Sequence, residues 1–203
     1  YEMAINYPNG RQFNPSAFSK PVSKGVSQSN RGMSLENDLN DANAYYLATD
    51  KAVIHKKPTP IQIVNVSYPA RSAAEITEAY FRQASTTDYN GVYNGQYIDF
   101  DAKETTNKQS FPLKNVHEHQ IKHLKQVVTQ HGLAFMIIRF SNLNETYVIW
   151  AELLFTYWDN QETQRKSIPY DVIKAEGALV PLGINPTTPY LTAIDELLNQ
   201  RKV

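Results

Sequence analysis

The sequence predicts a mixed α/β domain. Three observations lead there. Segments with helical spacing alternate irregularly with β-branched and aromatic runs. An Asn94-Gly95 pair separates two strand-like runs, the strongest short-range hairpin signal. The longest clean apolar run, Leu133–Ile138, suits a buried strand and falls far short of the ~20 residues that span a bilayer. A length of 203 residues fits one domain, with or without an arm.

Taken in order, residues 1–30 read as a flexible basic arm. Pro8, Asn9, Gly10, Pro15, Pro21 and Gly25 interrupt any period, and Arg11, Lys20 and Lys24 face the single acid Glu2. A single domain follows over 31–203. Ser34 suits the N-cap of a helix over Leu35–Leu47, in which Leu35, Leu39, Ala42 and Tyr46 share one face. Ala52–Ile54 reads as a short strand, and the prolines of His55–Pro60 exclude helix. Ile61–Tyr68 is strand-like, whereas Ala73, Ile76 and Tyr80 give Ser72–Phe81 a helical spacing. Together, residues 55–80 form an excursion from the main body.

Thr86–Thr105 reads as a hairpin closed at Asn94-Gly95. On its second strand Ile98, Phe100 and Ala102 share one parity, and Tyr97, Asp99, Asp101 and Lys103 the other. Phe111-Pro112-Leu113 reads as a loop. His117–His131 reads as a helix with Ile121, Leu124 and Val128 inward and Gly132 as its stop. Leu133–Phe140 is a buried strand, paired across Asn142-Leu143-Asn144 with Thr146–Trp150. Ala151–Trp158 is a short helix whose Phe155, Tyr157 and Trp158 suit packing better than base stacking; Tyr45 and Tyr46 are packing residues too. A helix over Pro189–Asn199 closes the chain.

Composition narrows function. There is no Cys, which excludes a disulfide scaffold, a Cys zinc site and a thiol nucleophile. No charged-then-apolar leader opens the chain, and the reading is a cytoplasmic, nucleoid-associated protein without a membrane partner. Lys and Arg total 20, as do Asp and Glu, so the net charge is zero, but its distribution is uneven. Lys51, Lys56, Lys57 and Arg71 occur with no acid between Lys51 and Ala74, and Lys103–Lys125 holds five lysines against Glu104 and Glu118. From Ser141 onward five cations meet eight acids. A basic middle suits a polyanion held at one face; solvated surface is the plainer alternative.

The pattern that carries chemistry is Asp88, a hairpin, then Asp101-Ala102-Lys103. A carboxylate from one strand and a carboxylate-x-lysine from the next would share one face. Two carboxylates can hold Mg²⁺ with waters completing the octahedron. A lysine two residues on can stabilise charge growing on a phosphoryl oxygen. That is the minimum equipment for phosphodiester hydrolysis. An acid-x-lysine is common by chance, and its plain reading is a surface ion pair. His119 and His123 stand at i, i+4, a spacing zinc can use, but neither Cys nor an HExxH motif accompanies them.

Longer words point to a family. Asn30-Arg31-Gly32-Met33-Ser34-Leu35-Glu36, Ala52-Val53-Ile54-His55-Lys56-Lys57-Pro58-Thr59-Pro60 and Ser85-Thr86-Thr87-Asp88-Tyr89-Asn90-Gly91-Val92-Tyr93 occur in that order. Tyr97-Ile98-Asp99-Phe100, Ala102-Lys103-Glu104-Thr105, Ser110-Phe111-Pro112-Leu113 and His119-Gln120-Ile121-Lys122-His123 follow. The chain, from about Tyr7 to Asp195, thereby resembles the RecU Holliday junction resolvases of Gram-positive bacteria.

The resemblance implies a restriction-endonuclease-like fold of the PD-(D/E)xK type, a mixed sheet flanked by helices, with a protruding stalk at about 56–80. It implies a homodimer that cuts opposed strands of a four-way DNA junction with Mg²⁺ or Mn²⁺ and that modulates the RecA recombinase; metal-dependent hydrolysis of that kind is expected to leave 5′-phosphate ends. Matched word by word, the metal ligands are Thr86, Asp88, Asp101 and Gln120, with Lys103 stabilising the transition state. Asp99 and Glu36 are candidates for support. Arg31, Lys56, Lys57, Arg71, Lys108 and Lys122 are candidates for DNA contact. Position 101 is usually Glu in that family and is Asp here, one methylene shorter. Two rivals remain open: a junction-binding or recombinase-regulating protein without turnover, and a site-specific duplex endonuclease of the same fold.

Overall fold

The computed structural model describes residues 34–70, 73–82 and 86–201. The expected N-terminal arm, together with Arg31 and Arg71, lies outside them. The described chain divides into two compact units, one holding a two-stranded hairpin and the other every remaining element.

The hairpin pairs β2 (Ile61–Ser67) with β3 (Glu75–Phe81), antiparallel, with a register irregularity at Asn65. The helix expected over Ser72–Phe81 is therefore a strand over most of its length. Spacing favoured a helix, but Ile76, Thr77, Tyr80 and Phe81 are β-branched or aromatic, and the ladder to β2 decides the matter. Ile61, Ile63, Val64, Tyr68, Ile76, Tyr80 and Phe81 are all exposed.

The larger unit is built on a six-stranded sheet. Its strands are β1 (Ala52–Lys56), β4 (Tyr89–Tyr93), β5 (Gln96–Thr105), β7 (Leu133–Phe140), β8 (Glu145–Trp150) and β10 (Ala178–Leu179), which lie side by side in that order. β5 and β7 run parallel and every other neighbour is antiparallel, so the sheet is mixed. A parallel pair needs a crossover. Here it is β6 (Ser110–Pro112), a 3₁₀ turn over Leu113–Asn115 and helix α2 (Glu118–Thr129). The loop expected at Phe111-Pro112-Leu113 is thus a short strand and a turn. β6 is fixed by pairing with β9 (Ser167–Pro169), a partner more than fifty residues on.

Alternation along β7 separates two cores. Leu133, Phe135 and Ile137 face one side with Ile98 and Phe100 of β5, under α1 (Leu35–Ala48) and α5 (Tyr190–Gln200). Ala134, Met136, Ile138 and Phe140 face the other, under α2, α3 (Ala151–Asp159) and α4 (Tyr170–Glu176). Both faces of the central strands are covered, the condition under which parallel pairs occur.

The local signals act as expected. Ser34 Oγ accepts the Asn37 N–H at 3.4 Å at the start of α1. Asn94 and Gly95 both take positive φ, 49° and 76°, as a two-residue turn between twisted strands requires. At the end of α2, His131 rather than Gly132 takes the left-handed conformation (φ 63°). The N–H groups of His131 and Gly132 then close onto Val128 and Val127. Gly91 permits the β1–β4 contact, since a Cβ there would lie 2.1 Å from the Val53 carbonyl oxygen.

Candidate active site

The odd-numbered face of β5 is not an open surface. The strand face holding Asp99 and Asp101 is roofed by α2, and both carboxylates are fully buried. Their surroundings differ completely.

Asp99 is saturated. Its Oδ2 accepts from Lys57 Nζ at 2.9 Å and from the Tyr97 hydroxyl at 2.7 Å, and His123 Nε2 lies 2.9 Å away. The Thr87 hydroxyl donates to Oδ1. Burial opposes the charge, but these donors outweigh it and hold the carboxyl below its ordinary pKa.

Asp101 is the opposite case. Neither of its oxygens accepts a hydrogen bond among the described residues. Lys103 Nζ approaches Oδ2 at 2.8 Å, an ion pair without the alignment of a hydrogen bond, and lies 4.0 Å from Asp88 Oδ2. Burial is the main reason the Asp101 carboxyl is pushed up to about 7; the Asp88 carboxyl adds to the push and Lys103 opposes it. Lys103 offsets part of the charge of two adjacent carboxylates, and the lone pairs of Asp101 that accept no hydrogen bond among the described residues leave room for a second cation. The donor set, hard oxygens with an open side at Asp88, fits Mg²⁺ or a similar divalent ion.

The sign of the resulting pH dependence follows. Asp101 has an ordinary pKa of 3.8 and a folded value of about 7, so the folded metal-free chain holds a proton that the unfolded chain has lost. Its contribution to stability is fully present below 3.8 and is lost as pH rises through about 7. In EDTA, Asp101→Asn should melt less differently from the wild type at about pH 5 than at about pH 8, where the substitution should be the more stable chain. Thermal melts at the two values check this. Metal affinity should run the other way, rising toward pH 7 as the carboxyl ionises.

The remaining expected site residues fall as follows. Thr86 is half-buried just before β4, two residues from Asp88. Gln120 is buried on α2, and its Oε1 accepts the His117 N–H at 3.0 Å, closing the first turn of the helix. Glu36 and Lys56 form an ion pair on the wall of a cleft of about 250 Å³, which Asp88, Tyr89 and Glu104 also line. The Tyr89 hydroxyl is pushed well above its ordinary pKa, first by burial and then by Glu36, Asp88 and Asp101, which mark a concentrated negative field. Lys57 takes a structural task, its ammonium bound to Asp99 and its side chain only 18% exposed. Lys108 and Lys122 are exposed, with no carboxylate within 4 Å among the described residues.

The zinc alternative finds no support in the histidines. His123 is bound to Asp99, the ring of His119 stacks on His117 at 5.4 Å, and no group of three His, Asp or Glu suited to a metal occurs among the described residues. Burial, and then His117 and Lys103, lower the His119 pKa, so it is mainly neutral at pH 7.

Sequence reasoning missed Glu104. It follows Lys103 and accepts the Leu35 N–H at the start of α1, with Ser141 Oγ at 3.2 Å from its other oxygen. A carboxylate at a helix N-terminus is favourable, but nothing in the sequence tells which helix it meets. Larger clefts elsewhere, of about 470 and 730 Å³, hold the ion pairs Glu152–Arg201 and Asp159–Lys125, and neither brings two carboxylates together on one lysine as Asp88 and Asp101 do. Chemistry rather than volume picks the site.

Known proteins resemble this chain over nearly its whole length. A family model described as "Recombination protein U" matches residues 30–196. A protein of Oceanobacillus iheyensis named Holliday junction resolvase RecU is 56% identical over 194 residues, 95% of this chain and 99% of its own. Proteins of the same name from Lactiplantibacillus plantarum and Geobacillus kaustophilus are 56% and 55% identical, over 98% and 96% of this chain and 98% of each of theirs. With a family model covering most of the chain and relatives of this identity over nearly all of it, the chain belongs to the RecU (recombination protein U) family.

Proposed function

We propose that the chain is a Holliday junction resolvase, a divalent-metal-dependent endonuclease that hydrolyses phosphodiesters in opposed strands of four-way DNA junctions. The observation that carries the chemistry is the buried carboxylate of Asp101, which accepts no hydrogen bond among the described residues and is set beside Asp88 and Lys103. The junction as substrate rests on the name of the relatives.

Asp88 and Asp101 would hold Mg²⁺ or Mn²⁺, with oxygens of Thr86 and Gln120 completing the protein's share. Gln120 Oε1 has one lone pair in the cap of α2 and a second to give. A bound ion of this kind polarises a phosphoryl oxygen and lowers the pKa of water. The protein's own part is positional and electrostatic. Burial of Asp101 keeps bulk water from screening the site. Lys103, tethered between two carboxylates, presents an ammonium to the negative charge that grows as water attacks phosphorus. The bond from phosphorus to the 3′ oxygen breaks as the new P–O bond forms, leaving a 5′-phosphate and a 3′-hydroxyl.

Two such sites related by a two-fold axis suit a near-symmetric junction, so the active species would be a homodimer. Lys56, Lys108 and Lys122, with Arg31 and Arg71, would contact phosphates, Lys56 by exchanging its ion pair with Glu36 for one with DNA. Regulation of RecA and a place at the nucleoid belong to the same reading. No helix among the described residues is long and apolar enough to cross a membrane.

The test is cleavage of a labelled four-way junction beside linear duplex of the same sequence, with Mg²⁺, with Mn²⁺ and with EDTA. Paired symmetric nicks in the junction, abolished by EDTA and sealed by DNA ligase without added kinase, are expected. Tight junction binding without cleavage would replace the reading with a non-catalytic junction binder. Preferential cutting of the duplex would replace it with a site-specific endonuclease.

A further inference from the structure

The hydrogen bonds of Asp99 converge from every element that carries a proposed metal ligand. Thr87, which donates to Oδ1, sits between Thr86 and Asp88. His123, at Oδ2, sits on α2 one turn beyond Gln120. Asp99 itself precedes Asp101 by two on β5 and shares its face. Lys57, at the end of β1, bonds twice to the same segment. Its ammonium donates to Asp99 and, at 2.9 Å, to the Thr87 hydroxyl, while its backbone N–H donates to the Asp88 carbonyl at 2.7 Å.

From this geometry we infer that Asp99 is the positioning residue of the metal site, not one of its ligands: it pins the Thr86–Asp88 segment and α2 to β5 so that Asp88, Gln120 and Asp101 face one point. Both oxygens of Asp99 are engaged, Oδ2 by Lys57, Tyr97 and His123 and Oδ1 by Thr87. A lysine ammonium already sits on Asp99, whereas neither oxygen of Asp101, on the same face, accepts a hydrogen bond among the described residues. Lys57 neutralises the buried charge, so Asp99 adds rigidity without competing for the ion. Groups bonded directly to metal ligands typically change metal affinity by about 10–100-fold when removed, and Asp99, acting through residues beside the ligands, is expected at the lower end of that range.

This inference rests on the metal-dependent reading above, and the experiment separates the two. Mn²⁺ binding to the full-length chain is measured by electron paramagnetic resonance for the wild type, Asp99→Asn, Thr87→Val and Thr87→Ser, alongside junction binding in EDTA and a melting curve. Thr87→Val removes one bond to Asp99 with little change of volume and remains informative if Asp99→Asn does not fold. Expected are a Mn²⁺ Kd raised at least about tenfold in Asp99→Asn and Thr87→Val, recovery in Thr87→Ser, and unchanged junction affinity in EDTA. A wild-type Kd in Thr87→Val, or equal Kd values in Thr87→Val and Thr87→Ser, overturns the positioning role while leaving the metal site standing. A wild-type chain that binds no Mn²⁺ and does not nick junctions overturns both.

Discussion

Asp101→Asn should lower junction nicking in Mg²⁺ by at least about 10²–10³-fold, about 3–4 kcal/mol of transition-state stabilisation, while leaving junction affinity within about twofold. The substitution keeps the size of the side chain but removes the charge that makes it a ligand for a hard cation. It also frees Lys103 from its 2.8 Å ion pair and leaves it with Asp88 at 4.0 Å, so on the proposed mechanism the ammonium would lose its placement along with the ion. Junction affinity should survive because, on the proposed reading, it would come from phosphate contacts spread over many lysines and arginines. Single-turnover nicking with the DNA pre-bound separates chemistry from binding. Near-wild-type nicking by Asp101→Asn would remove Asp101 from the site. The melting curve in EDTA at about pH 8 should show no loss, because burial makes the ionised Asp101 carboxylate costly to the metal-free fold and outweighs its ion pair with Lys103.

That residue shows how much of the site was legible in the sequence. The parity of β5 was readable from Ile98, Phe100 and Ala102, and the hairpin from Asn94-Gly95, because both are local: one follows from the pleat and the other from positive φ. The burial of Asp99 and Asp101 was not readable. It depends on α2 folding over that face, and the partners of Asp99 come from Lys57 and His123, 42 and 24 residues away in the chain. The same polar face therefore looked like an exposed strand surface. Lys57 looked like a free cation for the same reason.

The fold divides along similar lines. Helices α1, α2, α3 and α5 and strands β7 and β8 carry their own periodicity and were expected within a few residues. β3 was misread because Ala73, Ile76 and Tyr80 satisfy a helical spacing, and only the ladder to β2 contradicts it. β9, α4 and β10 had no signal at all. They are three, seven and two residues long, and the two strands exist through pairing with β6 and β8. Elements that short are decided by tertiary partners.

Phe100→Ala should cost about 3–5 kcal/mol of folding stability, the other large effect expected in this chain. Phe100 is wholly buried at the centre of β5 and paired in register with Tyr89 on one side and Phe135 on the other. The three rings stack, with centroids 4.9 and 4.6 Å apart, and Tyr190 of α5 closes on Phe100 at 5.4 Å. Truncation leaves a cavity that stacked rings on two neighbouring strands cannot fill without giving up their own contacts. Such a loss is a large share of a typical domain's ~5–15 kcal/mol. At about 2–4 °C per kcal/mol for a chain of this size, the melting temperature should fall by roughly 6–20 °C. Urea unfolding with an unchanged slope would show that the effect lies in the folded state. Phe100→Leu, which keeps most of the volume, should cost less. The contrast with Asp101→Asn is the informative part. Residues 100 and 101 are neighbours on β5 whose side chains point to opposite faces of the sheet. Phe100→Ala should lose nicking only as it unfolds, with activity tracking the melting curve. Asp101→Asn should lose nicking with the fold intact. If Phe100→Ala abolished nicking well below its melting temperature, the sheet would be transmitting core packing to the metal site, and the separation of the two faces would fail.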